Sequence, residues 1–433
     1  MVAVGLIALL VLGVPVGVAF TLVVLVKADA WNIDPYSLAA LPYDTISNFP
    51  LLAIPLFLLV GELMNHGGLV RQLTAVCDLV LARVRAPMGH IMVAASGLMG
   101  AITGSSVATV AAIGSTVGVE MKRRGYPIGY TGALNACAGL LGVLIPPSIP
   151  LILYGSIVGV SITQLFLAAV LPGALTMFAF LAVHAWLSRR VLANGKEQLA
   201  AASLPAPAAQ PDRGGASNGG AATLVWRSMP ALLLPVLVLG GIYSGMFTPT
   251  EAAAVAGVYA LAVAVAGRRD GRRLAPVFER AALASAAILV IIGFTSVFNR
   301  AMVLEQVPQG IAEFAAAQTD SAWVFLVVVN LVLLLVGMFM ETNAATLLMG
   351  PLLAPAAIKF GIDPVHFGIV LVTNIELGLL TPPLATNLFV AARANDARLT
   401  QMMPYVPWFM AAALFMLLLI TFVPGISLWY RFF

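Results

Sequence analysis

Apolar segments long enough to cross a lipid bilayer recur along the whole chain. A membrane-spanning helix needs about 20 consecutive, largely apolar residues. Runs of that kind occur at 2–26, 50–66, 127–158, 167–188, 229–247, 252–267, 281–298, 363–392 and 404–424. Charged residues make up 9% of the chain, against roughly a quarter in a soluble protein. The pattern predicts an all-α polytopic membrane protein and excludes a soluble enzyme, a nucleic-acid-binding protein and a disulfide scaffold.

Two further apolar stretches, at about 87–120 and 323–358, are interrupted near their middles by Gly, Ser, Thr, Asn and Pro. Lys and Arg are retained on the cytoplasmic side of a membrane protein. Their clusters lie at 83–85, 122–124, 189–196, 268–273 and 393–398. All of them can lie inside only if 87–120 enters and leaves from the cytoplasm, which predicts a re-entrant hairpin. The same reasoning predicts that 323–358 is a hairpin entered from outside.

A change of composition divides the chain into two halves. Residues 191–226 are rich in Ala, Pro, Gly and Ser and lack apolar periodicity, which predicts a flexible cytoplasmic linker. The linker follows a first half, 1–190, and precedes a helix in 227–250 and a second half, 251–433.

The two halves repeat each other at an offset of 236 residues. The coincident landmarks are mostly Gly and Pro, which dictate backbone shape. They are Gly114/Gly350, Gly125/Gly361, Gly132/Gly368, Gly142/Gly378, Pro146/Pro382 and Pro147/Pro383. Because the first half crosses the membrane an even number of times, the helix in 227–250 inverts the second half. Inverted repeats with discontinuous helices are typical of secondary transporters, whose substrate site lies where the repeats meet.

Four places interrupt the helices at membrane depth. The hairpins turn at a first tip, 103–106, and a second tip, 341–343, and the helices that follow them break at 142–148 and 378–383. Irregular backbone is tolerated in a bilayer only where it is buried or lines a cavity, and unwound carbonyls there can coordinate Na⁺. We expect one cation between tip and break in each repeat. An anionic substrate is expected between the tips, at Ser105, Ser106, Thr342, Asn343 and Thr346. The alternative is that these hydroxyls satisfy backbone groups at helix ends.

Two acids, Glu341 and Glu376, lie at membrane depth, where a carboxylate is costly and usually faces a cavity. Two interpretations stay open for each: coupling to a proton or cation, or a buried, hydrogen-bonded acid.

Other polar residues predict structural roles. The sequence Thr248-Pro249-Thr250-Glu251 predicts a capping box at a helix start. The four histidines share no metal-ligand spacing and are expected at packing or interface positions. Segments 70–86 and 303–320 have the pattern of amphipathic helices, one on each membrane face.

With these features the chain resembles the large membrane subunit of TRAP (tripartite ATP-independent periplasmic) transporters. The resemblance covers nearly the whole chain apart from the linker. The segments that carry it include GSSVATVAAIG, GVLIPPSIPLILYG, GMFTPTEAAAVAGVYAL and FGIVLVTNIELGLLTPPLATNLFVAA.

The resemblance implies an elevator-type, Na⁺-coupled importer of an organic acid, a carboxylate, in the bacterial inner membrane. It implies two partners, a small membrane subunit on a separate chain and a periplasmic binding protein that delivers the substrate. It also implies two or more Na⁺ ions, held by Gly104, Ser105, Ser106, Gly142 and Pro146 in the first repeat and by Thr342, Asn343, Gly378, Thr381 and Pro382 in the second. Many relatives have Asp where this chain has Thr109-Val110, and DPT where the second tip has ETN. No role of an acid is carried over to those positions.

Three other readings stay open. A stand-alone Na⁺/carboxylate symporter of the divalent-anion type would share the repeats but need no binding protein. A channel would conduct without saturation, and the paired hairpins argue against it. A membrane enzyme is weakly supported, because no nucleophile, metal cluster or acid/base pair emerges from the sequence.

Overall fold

The computed structural model describes residues 9, 14, 16–27, 38–81, 86–201, 221–266 and 274–432. All regular secondary structure in these ranges is helical. In the first half the helices are Val16–Lys27, Leu41–Ile46, Phe49–Leu52, Ala53–His66, Leu69–Leu81, Pro87–Thr103, Ser106–Ile113, Gly114–Gly118, Val119–Arg123, Ile128–Ala138, Leu141–Leu144, Ile149–Val158 and Ile162–Ala201. Among these, Phe49–Leu52 is a 3-10 helix and Gly114–Gly118 is a π-helix.

The second half continues in the same style. Its helices are Ala221–Tyr243, Pro249–Ala266, Ala275–Leu304, Val307–Gln318, Ala322–Phe339, Thr342–Lys359, Pro364–Gly378, Thr386–Ala394, Leu399–Met402, Val406–Phe422, Pro424–Ser427 and the 3-10 helix Trp429–Phe432. Six described helical segments are long and apolar enough to cross a membrane, namely Phe49–His66, Ile128–Val158, Ile162–Val191, Pro249–Ala266, Ala275–Leu304 and Ala322–Phe339.

The described helices form two packed groups. The hairpin group contains both hairpins and both broken helices together with Ile162–Ala201 and Val406–Phe422, which pack on each other and on these elements. The flanking group contains Val16–Lys27, Ala53–His66, Ala221–Tyr243, Pro249–Ala266 and Ala275–Leu304. Helix Pro249–Ala266 presents Ala252, Ala253, Ala256 and Ala260 to its neighbours, and such small side chains let membrane helices approach closely.

Two short helices lie between the groups. Leu69–Leu81 packs on both Pro87–Thr103 and Ala221–Tyr243, and Val307–Gln318 packs on Thr342–Lys359. Val307–Gln318 lies within the predicted amphipathic segment 303–320, and Leu69–Leu81 begins one residue before the predicted segment 70–86. Each repeat therefore has one short helix that connects the flanking group to its hairpin.

The capping box predicted at residue 248 is confirmed. The Thr248 N–H donates to Glu251 Oε2 at 2.8 Å, and the Glu251 N–H donates to Thr248 Oγ1 at 3.3 Å. The box starts Pro249–Ala266, with Pro249 as its first residue, where a missing N–H is harmless.

The structure shortens the predicted linker at 191–226. Helix Ile162–Ala201 runs into it from one side, and helix Ala221–Tyr243 begins inside it. The physical reason on the first side is local propensity, since Lys196, Glu197, Gln198 and Leu199 are strong helix formers. The remainder of the linker, 202–220, lies outside the described residues, as do most of 2–15 and the basic clusters at 83–85 and 268–273.

Glycine contacts join each hairpin to its broken helix. In the second repeat a Cβ on Gly337 would lie 2.6 Å from the Ile375 carbonyl oxygen and 3.1 Å from Gly378 Cα. In the first repeat a Cβ on Gly100 would lie 2.8 Å from Gly142 Cα. The aligned glycines Gly142 and Gly378 thus lie in close contact with the hairpin of their own repeat. A side chain at either contact would separate the backbones.

We expect Gly337→Ala to lower the free energy of unfolding by about 1–3 kcal/mol, because the added methyl meets backbone that cannot rotate away. The measurement is the thermal unfolding midpoint of the purified protein in detergent. Gly257→Ala is the matched control, since a Cβ at that helical glycine has no contact within 4 Å. Equal midpoints for the two variants would show that the Gly337 contact is not tight.

Candidate functional site

The first tip is held against the first break by backbone and hydroxyl contacts. Gly104 ends Pro87–Thr103, the first helix of the hairpin, with φ +60°, a left-handed conformation that favours glycine. Its carbonyl accepts a hydrogen bond from the Ile149 N–H at 3.2 Å, directly after the break. Ser105 caps Ser106–Ile113, the helix after the tip, by accepting a hydrogen bond from the Ala108 N–H at 3.4 Å. The tip and the break of this repeat are therefore one packed unit.

Gly142 allows a close approach between the tip and the break in this unit. A Cβ there would lie 2.6 Å from Thr109 Oγ1 and 2.8 Å from the Ser105 carbonyl oxygen. The Thr103 and Thr109 hydroxyls hydrogen-bond each other at 3.1 Å. Oxygen atoms of the backbone and of side chains are thus concentrated around residues 103–109.

The second hairpin makes a corresponding backbone contact with its own break, just before its tip. The Leu384 N–H, just after the second break, donates to the Met338 carbonyl at 3.2 Å. Glu341 caps Thr342–Lys359, the helix after the second tip. Its carboxyl group accepts hydrogen bonds from the Asn343 and Ala344 N–H groups at 2.9 and 3.4 Å and from Asn343 Nδ2 at 2.8 Å. For Glu341 the structure favours the hydrogen-bonded acid of the two interpretations.

Glu376 connects the second broken helix to the tips. It is 1% exposed, and its Oε1 accepts from the Thr342 hydroxyl at 2.8 Å. The hydroxyl of Ser106, in the first tip, lies beside the same carboxyl group. The two tips therefore meet at one acid, which the sequence left open as a coupling residue or a buried acid.

Several buried polar atoms near the tips have no hydrogen-bond partner among the described residues. They are Ser148 Oγ, Asn343 Oδ1, Thr346 Oγ1, Thr373 Oγ1, Glu376 Oε2 and both side-chain polar atoms of Asn387. Buried polar groups are normally paired. Unpartnered buried atoms also occur elsewhere in the described residues, for example at Gln72, Asn135 and Tyr430, so the atoms near the tips permit a ligand without requiring one. Because most of these atoms are oxygens, the set fits a hard cation.

The predicted site residues are brought together unevenly. Gly104, Ser106, Gly142 and Pro146 are buried around the first tip, with Ser105 half-buried. Thr342 and Thr346 are buried and Asn343 is half-buried at the second tip, with Gly378 buried nearby. Pro382 is exposed, however, and the half-buried Thr381 donates to the Leu377 carbonyl of its own helix at 3.4 Å. These two residues have no recorded contact with the second tip.

Thr373 and Asn387 are not among the site residues predicted from the sequence. Thr373 lies one turn before Glu376 in the second broken helix, and Asn387 lies just after the break in Thr386–Ala394. A signal was present, because an Asn or Thr in an apolar helix beside a break needs a partner. The positions of Thr373 and Asn387 relative to the first hairpin could not be predicted from one sequence.

A polar cavity of about 340 Å³ lies between the two helix groups. The flanking side contributes Asn48, Ser296 and Asn299, and the hairpin group contributes Ser156 and Leu347. Asn299 Nδ2 donates to the Leu347 carbonyl at 2.9 Å across the boundary. The cavity borders the helix after the second tip on the side of the flanking group.

Two histidines that are distant in sequence meet at the far end of the first hairpin. The rings of His90 and His184 are 4.6 Å apart, and both ring systems contact the Ala86 carbonyl. His184 also hydrogen-bonds the Tyr130 hydroxyl. No group of three potential metal ligands of the His, Cys, Asp or Glu type occurs in the described ranges, and the aromatic contacts here indicate packing.

An all-helical membrane protein with a re-entrant hairpin and a broken helix in each of two repeats is a transporter of the inverted-repeat class. The family model described as "Tripartite ATP-independent periplasmic transporter, DctM component" matches residues 3–426, and the chain belongs to this family.

Individual relatives agree with this assignment. The chain is 39% identical over 395 residues to the C4-dicarboxylate TRAP transporter large permease protein DctM of Pseudomonas aeruginosa, covering 90% of this chain and 88% of the relative. It is 37% identical over 425 residues to the isethionate TRAP transporter permease protein DctMQ of Oleidesulfovibrio alaskensis. That match covers 97% of this chain but 64% of the longer relative.

One solved structure shows the same fold. The crystal structure of the Alcanivorax borkumensis YdaH transporter, described as having an unusual topology, matches with a TM-score of 0.60 at 16% identity. The match covers 92% of this chain and 88% of that one. The predicted fold class, an all-α polytopic protein of two inverted repeats with a hairpin and a broken helix in each, is confirmed.

We expect Thr342→Val to destabilise the protein, because it removes the hydroxyl that donates to the buried Glu376 carboxyl group. A hydrogen bond to a charged group contributes about 1.5–3 kcal/mol. Thermal unfolding in detergent measures the loss, and Thr342→Ser, which keeps the hydroxyl, is the control. Equal midpoints for the Val and Ser variants would contradict the importance of this hydrogen bond.

Proposed function

We propose that this chain is the large membrane subunit of a TRAP transporter that imports an organic acid across the bacterial inner membrane by a Na⁺-coupled elevator mechanism. One observation carries the proposal. Each hairpin packs on the break of its own repeat, through Gly104 at the first tip and through Met338, just before the second tip. Buried oxygens without partners in the described ranges lie beside these contacts.

The donor set supports Na⁺ as the coupling ion. A small hard cation at a helix break is held by unwound carbonyls and half-helix ends. In the first repeat the residues that would hold it are Gly104, Ser105, Ser106, Gly142 and Pro146. In the second repeat they are Thr342, Asn343, Gly378, Thr381 and Pro382. Two or more ions are proposed, and bound Na⁺ would supply positive charge beside an anionic substrate.

The two helix groups support the elevator part of the proposal. The hairpins and broken helices would form the moving block, and the flanking group would form the frame. Polar contacts between these groups include the hydrogen bond from Asn299 to Leu347. Within the block, Lys122 pairs with Asp396 at 2.9 Å and donates to the Asn395 carbonyl, which joins the two repeats so that they can move together.

Partners and substrate class rest on the family. We propose a small membrane subunit on a separate chain and a periplasmic binding protein that delivers the substrate. The relatives described above are named for C4-dicarboxylates and for isethionate, a sulfonate. A small organic anion is their shared chemistry, and a carboxylate is our proposal for this chain. Ser105, Ser106, Thr342, Asn343 and Thr346 would face it.

The test is uptake into proteoliposomes that contain this chain with the small subunit. The binding protein encoded beside the chain is first screened by thermal shift against succinate and isethionate. The ligand that stabilises it is then used as the radiolabelled substrate. We expect uptake that requires both the binding protein and an inward Na⁺ gradient, and that stops when K⁺ replaces Na⁺.

Other outcomes separate the alternatives. Saturable, Na⁺-dependent uptake that is unchanged without binding protein would favour a stand-alone symporter of the divalent-anion type. Steady conductance without saturation would favour a channel. Uptake that is unaffected by replacing Na⁺ would contradict sodium coupling.

A further inference from the structure

Glu376 is a buried carboxylate with incomplete local stabilisation. Its Oε1 accepts from Thr342, but its Oε2 has no partner among the described residues. No ion pair to it occurs in those ranges either. A charged carboxylate in a low-dielectric interior is stable only when it is paired and hydrogen-bonded.

The helix that carries Glu376 adds to the negative potential. Glu376 lies in the last turn of Pro364–Gly378, and the C-terminal end of a helix dipole is negative. The facing N-terminus of Thr342–Lys359 is already capped by the Glu341 carboxylate. Two acids and one helix C-terminus therefore converge here, a combination that favours a cation.

Comparison with Glu341 shows that burial alone does not leave an acid without stabilising partners. Glu341 accepts three hydrogen bonds at a helix N-terminus, where a carboxylate is stabilised by both the N–H groups and the dipole. Its position follows from local structure. At Glu376 the recorded neighbours in the described ranges are the hydroxyls of Thr342 and Ser106, and the residue lies at the negative, C-terminal end of its helix.

The oxygen atoms around Glu376 come from both repeats. Ser106 of the first tip and Thr342 of the second lie at its carboxyl group. Thr373 lies three residues before Glu376, and Thr346 lies four residues after Thr342, so each shares a helix face with its partner. The hydroxyl oxygens of Thr373 and Thr346 are buried without partners in the described ranges.

We propose that Glu376 is a carboxylate ligand of a coupling cation, at a site that spans both repeats through Ser106 and Thr342. This inference rests on the proposed sodium-coupled function and adds a charged ligand to donor sets that otherwise consist of neutral oxygens. Compensation of the Glu376 charge would also remove its repulsion of an anionic substrate between the tips.

The test measures Na⁺ binding without substrate or partner proteins. The full chain in detergent is titrated with NaCl, with KCl keeping the ionic strength constant, and the thermal unfolding midpoint is followed. In the wild type we expect Na⁺ to raise the midpoint. In Glu376→Gln the Na⁺ concentration for half of the rise should increase at least tenfold, and in Glu376→Asp it should increase less.

Glu251→Gln is the matched control, because it removes a carboxylate that caps a helix of the flanking group, outside both tips. Its midpoint should fall, while its half-effect Na⁺ concentration stays within threefold of the wild type. If Glu376→Gln does not fold, Ser106→Ala replaces it, with an expected three- to tenfold increase.

Unchanged Na⁺ dependence in Glu376→Gln, or in Ser106→Ala where Glu376→Gln does not fold, would overturn the inference. It would leave the proposed function intact if wild-type uptake still required a Na⁺ gradient. A wild-type midpoint that responds to pH but equally to Na⁺ and K⁺ would also overturn it, because a proton would then occupy the carboxyl group.

Discussion

The structure depends on one constraint, that backbone polar groups inside a bilayer must find partners within the protein. A hairpin tip and a broken helix each expose such groups, and neither is stable alone in hydrocarbon. Each supplies what the other lacks: the Gly104 carbonyl accepts from Ile149, and the Met338 carbonyl accepts from Leu384. This mutual requirement explains why the two irregular elements occur together in both repeats and why glycines line their contact.

The same constraint separates the chain into two helix groups. The hairpin group concentrates the irregular backbone and the buried polar side chains. In the flanking group, long regular helices such as Ala275–Leu304 satisfy their backbone internally. The two groups share a boundary. The cavity beside Asn299 and Ser156 lies on that boundary, where polar side chains from both groups meet.

Much of the fold could be predicted because Gly and Pro act locally. The pairs Gly142/Gly378 and Pro146/Pro382 fix the shape of nearby backbone, so one sequence sufficed to locate tips, breaks and the repeat. The linker ends were harder, since helix propensity at 196–199 prolongs a helix that hydropathy ends earlier. Glu376 could be noticed but not interpreted, because its environment is made by Ser106 and Thr342, residues far away in the chain.

The near absence of charge elsewhere gives the acids at the tips their importance. With 9% charged residues, most of the membrane-embedded chain avoids the desolvation cost of a carboxylate. Glu341 meets that cost with the N–H groups of the helix it caps. Glu376 has no such local compensation, and neutral Gln or Leu would be cheaper at its position. An acid in this place is therefore best explained by a charge that the protein does not itself supply. The coupling cation proposed above is a charge of that kind, and it would connect the cost of burying Glu376 to transport.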